Sequence, residues 1–171
     1  MKMDYCPVCG TKLIERDLEG EGKTKYCETC GDYRFPLFST AVSMVVLDPA
    51  KEKILLIKQY HRDRYILVAG YVNKGEDAED AVRREIQEET GLEVAECHFN
   101  RSHYFAPSET LMLNYTTVVK DTELHPNREI DSYAWFSKEE AREHIFHGSL
   151  AEIFLNGYLD GTYPFDRKED V

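Results

Sequence analysis

Residues 70–92 read GYVNKGEDAEDAVRREIQEETGL, and the fold turns on how that stretch is understood. From Asp77 to Thr90 it has the spacing of a helix. Ala78, Ala81, Val82 and Ile86 form an apolar stripe, and Gly91 stands just past the end as a stop. Glu85, Glu88 and Glu89 then fall at i, i+3 and i+4, so the three carboxylates share a face. Like charges gathered on one face repel in water, and a hard divalent cation with oxygen ligands would gather them. Gly70 and Gly75 bracket a loop entering the helix, and Arg84 precedes Glu88 by four positions, placed to pair with it. An acidic solvent face would account for three carboxylates alone. It does not account for the glycines, the arginine and the glutamate spacing together.

The same residues resemble the signature of the Nudix hydrolases, G-x5-E-x7-R-E-U-x-E-E-x-G-U with U aliphatic. Gly70, Glu76, Arg84, Glu85, Ile86, Glu88, Glu89, Gly91 and Leu92 fill every fixed position. The resemblance implies hydrolysis of a diphosphate. Water must attack a phosphorus shielded by negative oxygens, and a metal ion neutralises them. Glu85 and Glu89, one turn apart, are the first-choice ligands for Mg²⁺ or Mn²⁺, with Glu88 as the third. The family pattern adds the carbonyl of Gly70 and an acidic residue from beyond the box, for which Glu129 is the candidate. Arg84 is expected to orient a ligand carboxylate, and Glu76 to support the loop. The general base stays open among Glu88, Glu89 and Glu129.

With 171 residues, the chain has room for one domain of about 130 to 150 residues and a small module. A formal net charge of −11 argues against a nucleic-acid or anionic-membrane surface. No apolar run approaches the roughly eighteen residues of a membrane span. The start, MKMDYCPVCG, lacks the apolar core of a signal peptide, so a cytoplasmic protein is expected. Cys6, Cys9, Cys27 and Cys30 form two C-x2-C pairs separated by seventeen residues, a spacing that points to zinc. Gly10 and Gly31 follow the second Cys of each pair and let the backbone turn its N–H groups toward the thiolates. Residues 1–35 are therefore read as a zinc ribbon whose metal supplies the folding energy. Cys97 is read as a buried structural thiol in a strand.

Tyr33–Phe38, YRFPLF, reads as an extended aromatic linker, and residues 36–171 as the second domain. Strand patterns fall at 40–48, 53–59, 65–69, 92–101, 111–119 and around 133–135, and helical ones at 138–145 and 149–159. Ser137 with Glu140 has the form of a capping box. Strands and helices so interspersed predict an α+β fold. The resemblance specifies a Nudix-type αβα sandwich with a mixed β-sheet, preceded by a small β zinc ribbon.

A zinc ribbon before a Nudix domain resembles the NADH pyrophosphatases, which carry S-Q-P-W-P-F-P-x-S and then Leu-Met after the box. Here SHYFAPSETLM occupies that place. Ser102, Leu111 and Met112 match, Phe105 keeps an aromatic, and Thr110 replaces the last Ser; His103, Tyr104, Ala106, Pro107 and Ser108 depart. Tyr104 and Phe105 are expected to stack on a base, with Ser102, His103 or Glu109 bonding its edge or a ribose. The expected substrate is a nucleoside diphosphate linked to another moiety, with NAD(H)-like dinucleotides first and ADP-ribose or a nucleotide sugar as the alternative. A non-catalytic nucleotide sensor is the alternative of another class. The resemblance also implies a homodimer. Neither a nucleic-acid nor a membrane partner is expected.

Overall fold

The computed structural model of the chain describes residues 3–163. It has two compact units, Met1–Ser39 and Thr40–Val171. The first is a small antiparallel sheet in the order β1 (Ile14–Leu18), β2 (Gly22–Cys27) and β3 (Asp32–Arg34). Among the described residues, its buried apolar core is Cys6, Leu13 and Cys27, with Met3 packed against them. Such a core is too small to hold a fold alone, which leaves cross-linking to the cysteines. Tyr33 and Arg34, expected in a linker, form the third strand. Tyr33 pairs directly with Tyr26, their rings meeting edge-on at 5.0 Å, and its hydroxyl donates to the Asp17 carbonyl at 2.9 Å. Phe35 and Leu37 beyond them are exposed.

The second unit runs β4 (Ser39–Leu47), β5 (Lys53–Gln59), β6 (Val68–Tyr71), α1 (Ala78–Thr90), β7 (Val94–Phe105), β8 (Thr110–Val119), β9 (Ile130–Ser137), α2 (Lys138–His144) and α3 (Leu150–Leu159). Its mixed sheet has the order β7-β8-β4-β5-β9. β4 is shared, pairing β6 through Ala41–Met44 and β5 through Val46 and Leu47. Both faces of β4 and β5 are buried, which is why these strands read as continuous apolar runs. Val42, Met44, Val46, Leu55 and Ile57 join Ala81, Val82 and Ile86 of α1 in one core. The alternate residues Val45, Leu47, Ile54 and Leu56 join Ala141, Ile145, Phe154 and Leu155 in the other. The result is the αβα sandwich, with α1 on one face and α2 and α3 on the other.

Local signals placed most ends. Gly91 closes α1 in the left-handed region at φ 74°, and the capping box at Ser137 and Glu140 opens α2. Two differences stand out. β6 begins at Val68 and not at Tyr65; Tyr65 and Ile66 make only isolated bridges, to Ile145 and Ile57. β7 runs on to Phe105 and pairs with β8 up to Thr110, so residues 102–110, between the strand patterns expected at 92–101 and 111–119, form the end of a hairpin. Its alternating exposure explains this: Ser102 and Tyr104 point outward while His103 and Phe105 are partly covered, the period of a strand. Ala106–Ser108 and Glu109, left-handed at φ 48°, make the turn.

A buried polar network ties β7, β8 and β4 together. Asn100 donates to Asn114 at 2.8 Å and to Thr116 at 2.9 Å, and Asn114 donates to the Ser43 carbonyl at 3.0 Å. Asn100 sits at the register shift of β7, where the extra residue turns it inward. Among the described residues, no helix is long and apolar enough to cross a membrane. Replacing Asn114 with Ala removes the side-chain donor to the Ser43 carbonyl and the acceptor of one Asn100 N–H, while Asn100 keeps its bonds with Thr116. The expected loss is about 2–3 kcal/mol in urea unfolding, and an unchanged midpoint would remove the network from the stabilising interactions.

Candidate active site

The apolar stripe of α1 decides how deep each carboxylate lies. Glu89 is three positions beyond Ile86 and continues the stripe, so its backbone geometry carries it inward: the residue is 5% exposed. The Glu85 side chain, at the stripe's edge, is 13% exposed, and that of Glu88 is 59% exposed. The three share a face, as expected, but descend from solvent into the core.

Glu89 is held by Gln59, whose amide donates at 2.9 Å in a buried bond. Gln59 ends β5 where its register against β9 shifts, between Lys58 and Gln59. Burial pushes the Glu89 carboxyl up to about 8; the charges of Glu85 and Glu129 add to the shift and the Gln59 bond opposes it. Glu129 is thus within electrostatic reach of Glu89. The loop before β9 delivers it. His125 and Asn127 donate their backbone N–H groups to the carbonyls of Thr90 and Glu89 at 2.8 and 2.9 Å, capping the end of α1. Asn127 then accepts the Glu129 N–H at 2.9 Å, and the Tyr60 hydroxyl donates to the Glu129 carboxylate at 2.8 Å.

Arg84 does more than pair with Glu88. It binds Glu76 with two N–H groups at 2.7 and 2.8 Å, Glu85 at 2.7 Å, Glu88 at 3.1 Å and the Tyr71 carbonyl at 3.0 Å. Its bonds hold the Glu76 carboxyl down to about 2. Glu76 also accepts the Asn73 N–H at 2.9 Å, so the glycine loop and the carboxylates are joined through one guanidinium. At Gly70 the reason for glycine is direct: a Cβ there would stand 2.0 Å from Glu85 Cδ and 2.3 Å from both its oxygens.

These residues fit a divalent cation. The donors are hard oxygens, and a buried carboxylate beside two others has too little positive charge around it. The glutamate oxygens are not drawn to one point, since Arg84 holds Glu85 and Glu88. Among the described residues, the metal-type cluster with ligand atoms all within 4.8 Å of one another is Cys6, Cys9, Cys27 and Cys30. There Cys9 and Cys27 lie 3.5 Å apart, and Cys6 and Cys30 3.9 Å apart. A tetrahedral zinc site with Zn–S of about 2.3 Å has edges of about 3.8 Å. Burial pushes the Cys6 thiol up, but bonds from the Cys9 N–H, Arg34 and the Val8 N–H outweigh it and bring it down to about 6. Cys30 is pushed up to about 12, first by its bond with Cys9. Cys97 lies in β7, half-buried, and burial raises its thiol.

The remaining expected contacts lie on the β7–β8 hairpin. Ser102, His103, Tyr104 and Phe105 occupy the far half of β7 and Glu109 the hairpin turn. The His103 ring meets Phe154 of α3 edge-on at 6.4 Å. Gln59 and Tyr60 were not anticipated, although a polar pair ending an otherwise apolar buried strand is a signal for them.

A model of the NUDIX domain matches residues 37–155. The chain belongs to the Nudix family. It is 32% identical over 149 residues to Nudix hydrolase 19, chloroplastic, of Arabidopsis thaliana, covering 81% of this chain and 33% of that protein. It is 30% identical over 158 residues to the NAD-capped RNA hydrolase NudC of Pseudomonas aeruginosa (strain LESB58), covering 91% and 55%. The human NAD-capped RNA hydrolase NUDT12 is 27% identical over 162 residues, covering 88% and 34%. The chain thus spans between a third and just over half of these relatives' lengths. A NUDIX hydrolase crystal structure from Nitrosomonas europaea superposes with a TM-score of 0.69 at 21% identity, covering 92% of this chain and 91% of that one, which shows the shared fold.

The raised carboxyl of Glu89 has a sign that can be measured. The folded state holds a proton between the usual glutamate range and about 8 that the unfolded state has lost. Stability therefore falls as pH rises through that window. In buffer free of magnesium and manganese, the melting temperature should drop from pH 5 to pH 8.5. The drop should be smaller in Glu89→Gln, and parallel profiles would show that Glu89 is not the group responsible.

Proposed function

We propose that this protein is a metal-dependent Nudix pyrophosphohydrolase that cleaves the diphosphate of NAD(H)-like dinucleotides to two mononucleotides. The observation that carries the reading is the buried Glu89 carboxylate beside Glu85 and Glu129, backed by Gly70 and steadied by Gln59 and Arg84. Glu85 and Glu89 would hold Mg²⁺ or Mn²⁺, joined by Glu88, Glu129 and the Gly70 carbonyl. Bound there, the cation would neutralise the diphosphate oxygens and acidify a water. The chain's own part is positioning. Gln59 fixes the orientation of Glu89, Arg84 fixes Glu85 through its Glu76 anchor, and the Tyr60 hydroxyl fixes Glu129. One of Glu88, Glu89 and Glu129 takes the proton of the attacking water. Glu88 is exposed, and Glu129 is the one held by a hydroxyl.

The dinucleotide assignment is supported by the four cysteines before the domain, by the partial match at Ser102–Met112, and by relatives named for hydrolysing NAD-capped RNA. Those names widen the expected substrate to NAD-type caps carried on RNA, against the reading from net charge alone. The departures at His103, Tyr104, Ala106, Pro107 and Ser108 keep ADP-ribose as the competing substrate. In the first unit we assign zinc to Cys6, Cys9, Cys27 and Cys30.

With Mg²⁺, NADH should yield two mononucleotides by chromatography. Absence of mononucleotide release from NADH, with fast cleavage of ADP-ribose, would move the substrate to the latter. Glu89→Gln should lower kcat by about two to four orders of magnitude while the protein stays folded. If the protein were a nucleotide sensor, nucleotide binding would survive that change with no turnover to lose. Elemental analysis of protein purified without chelators should find about one zinc per chain, and zinc-free protein with intact thiols would overturn the ribbon assignment.

A further inference from the structure

The loop leaving β5 has two sides. Gln59 and Tyr60 bond the carboxylates of Glu89 and Glu129. They also form one wall of an open cleft of about 300 Å³, whose other lining residues include Arg62, Arg64, Phe146 and Ser149. That is the low end for a small-molecule site, with space for a group of mononucleotide size or less.

The charges of this region are sorted. Asp63 is paired with Lys58 at 2.5 Å, and Asp131 accepts the His61 N–H at 2.5 Å. Glu152 is engaged by His147 and by the Gly148 N–H, each at 2.7 Å, and Glu129 by Tyr60. Among the described residues, neither Arg62 nor Arg64 has a carboxylate partner, in a chain whose net charge is −11. The Arg64 guanidinium instead lies over the Phe146 ring, 4.6 Å from its centroid, a contact that uses its face and not its N–H donors.

The loop is also held in a costly shape. Tyr60 and His61 are consecutive non-glycine residues in the left-handed region, at φ 55° and 56°. Each costs about 1–2 kcal/mol, and both are exposed, so no core packing repays them. They are pinned by their bonds to Glu129 and Asp131, and this conformation carries the chain from the carboxylates to the two arginines.

We propose that the cleft binds a phosphate that the substrate carries outside its scissile diphosphate, a phosphomonoester or phosphodiester on the ribose of one nucleotide half, gripped by Arg62 and Arg64. Guanidinium forks match phosphate oxygens in geometry and charge. An acidic site alone would repel a third phosphate, and the arginines, in the cleft whose wall Gln59 and Tyr60 form, offset that repulsion. The placement rests on the pyrophosphohydrolase reading, but the binding can be measured without turnover.

Calorimetry would compare AMP, adenosine 2′,5′-bisphosphate, adenosine 3′,5′-bisphosphate and the dinucleotide pApA on the wild type and on the Arg62→Gln/Arg64→Gln variant. At least one ligand with the added phosphate should bind the wild type about tenfold or more tightly than AMP, and the advantage should fall below about threefold in the double variant. A preference confined to pApA assigns a phosphodiester; a preference for one bisphosphate assigns a monoester and its position. Equal binding of all four by the wild type, or an advantage that survives both substitutions, overturns the proposal. The single variants, checked by melting temperature, replace the double one if it does not fold. Phosphate preference in a protein that cleaves no diphosphate would defeat the function assigned above and leave the cleft standing; cleavage of NADH without that preference would do the reverse.

Discussion

Burial of one carboxylate organises the second unit. Glu89 lies on the apolar stripe of α1, where an unpaired charge is costly. One feature meets that cost in part, and a second secures the helix end beside it. The bulge ending β5 brings the Gln59 amide to it, and the loop before β9 caps the helix end so that Glu89 and Thr90 carbonyls are satisfied. The same two features bring Tyr60 and Glu129 to the site. Its composition therefore follows from what a helix end and a buried acid require.

Arg84 is the counterweight. One guanidinium reaches Glu76, Glu85, Glu88 and the Tyr71 carbonyl, which ties the glycine loop to the helix that follows it. A lysine has neither the reach nor the fork to make four such contacts. Because Glu85 is pulled toward the loop, its carboxylate lies against the Gly70 backbone, and no side chain fits there. The fixed positions of the signature are in this sense one object: each residue occupies the space or meets the charge that another leaves.

The parts of this arrangement that lie on one helix were legible from spacing. The α1 boundaries, the Gly91 stop and the capping box before α2 each rest on a local rule. The unequal depth of Glu85, Glu88 and Glu89 was readable too, had the stripe through Val82 and Ile86 been extended one step. Contacts made across the sheet were not legible. Gln59 is placed by a register shift between β5 and β9, and Asn100 by another in β7. Neither shift has a proline or glycine to mark it. The Ser102–Phe105 stretch differs: matched to a family signature it shows no strand pattern, whereas its residues alternate in exposure with the period of a strand.

The loop after β5 joins two demands that a diphosphate substrate makes. The reacting group needs clustered negative side chains, and the rest of a nucleotide, being negative, needs the opposite. Separating these over a few residues requires the chain to turn sharply between them, which is what left-handed Tyr60 and His61 accomplish. Their bonds to Glu129 and Asp131 make the turn dependent on the loop that also caps α1. Orientation of the carboxylates and position of the arginines are consequently coupled through backbone. A glycine at position 60 would relieve the strain, but it would also remove the hydroxyl that holds Glu129, so relief of strain and retention of the site oppose each other at that residue.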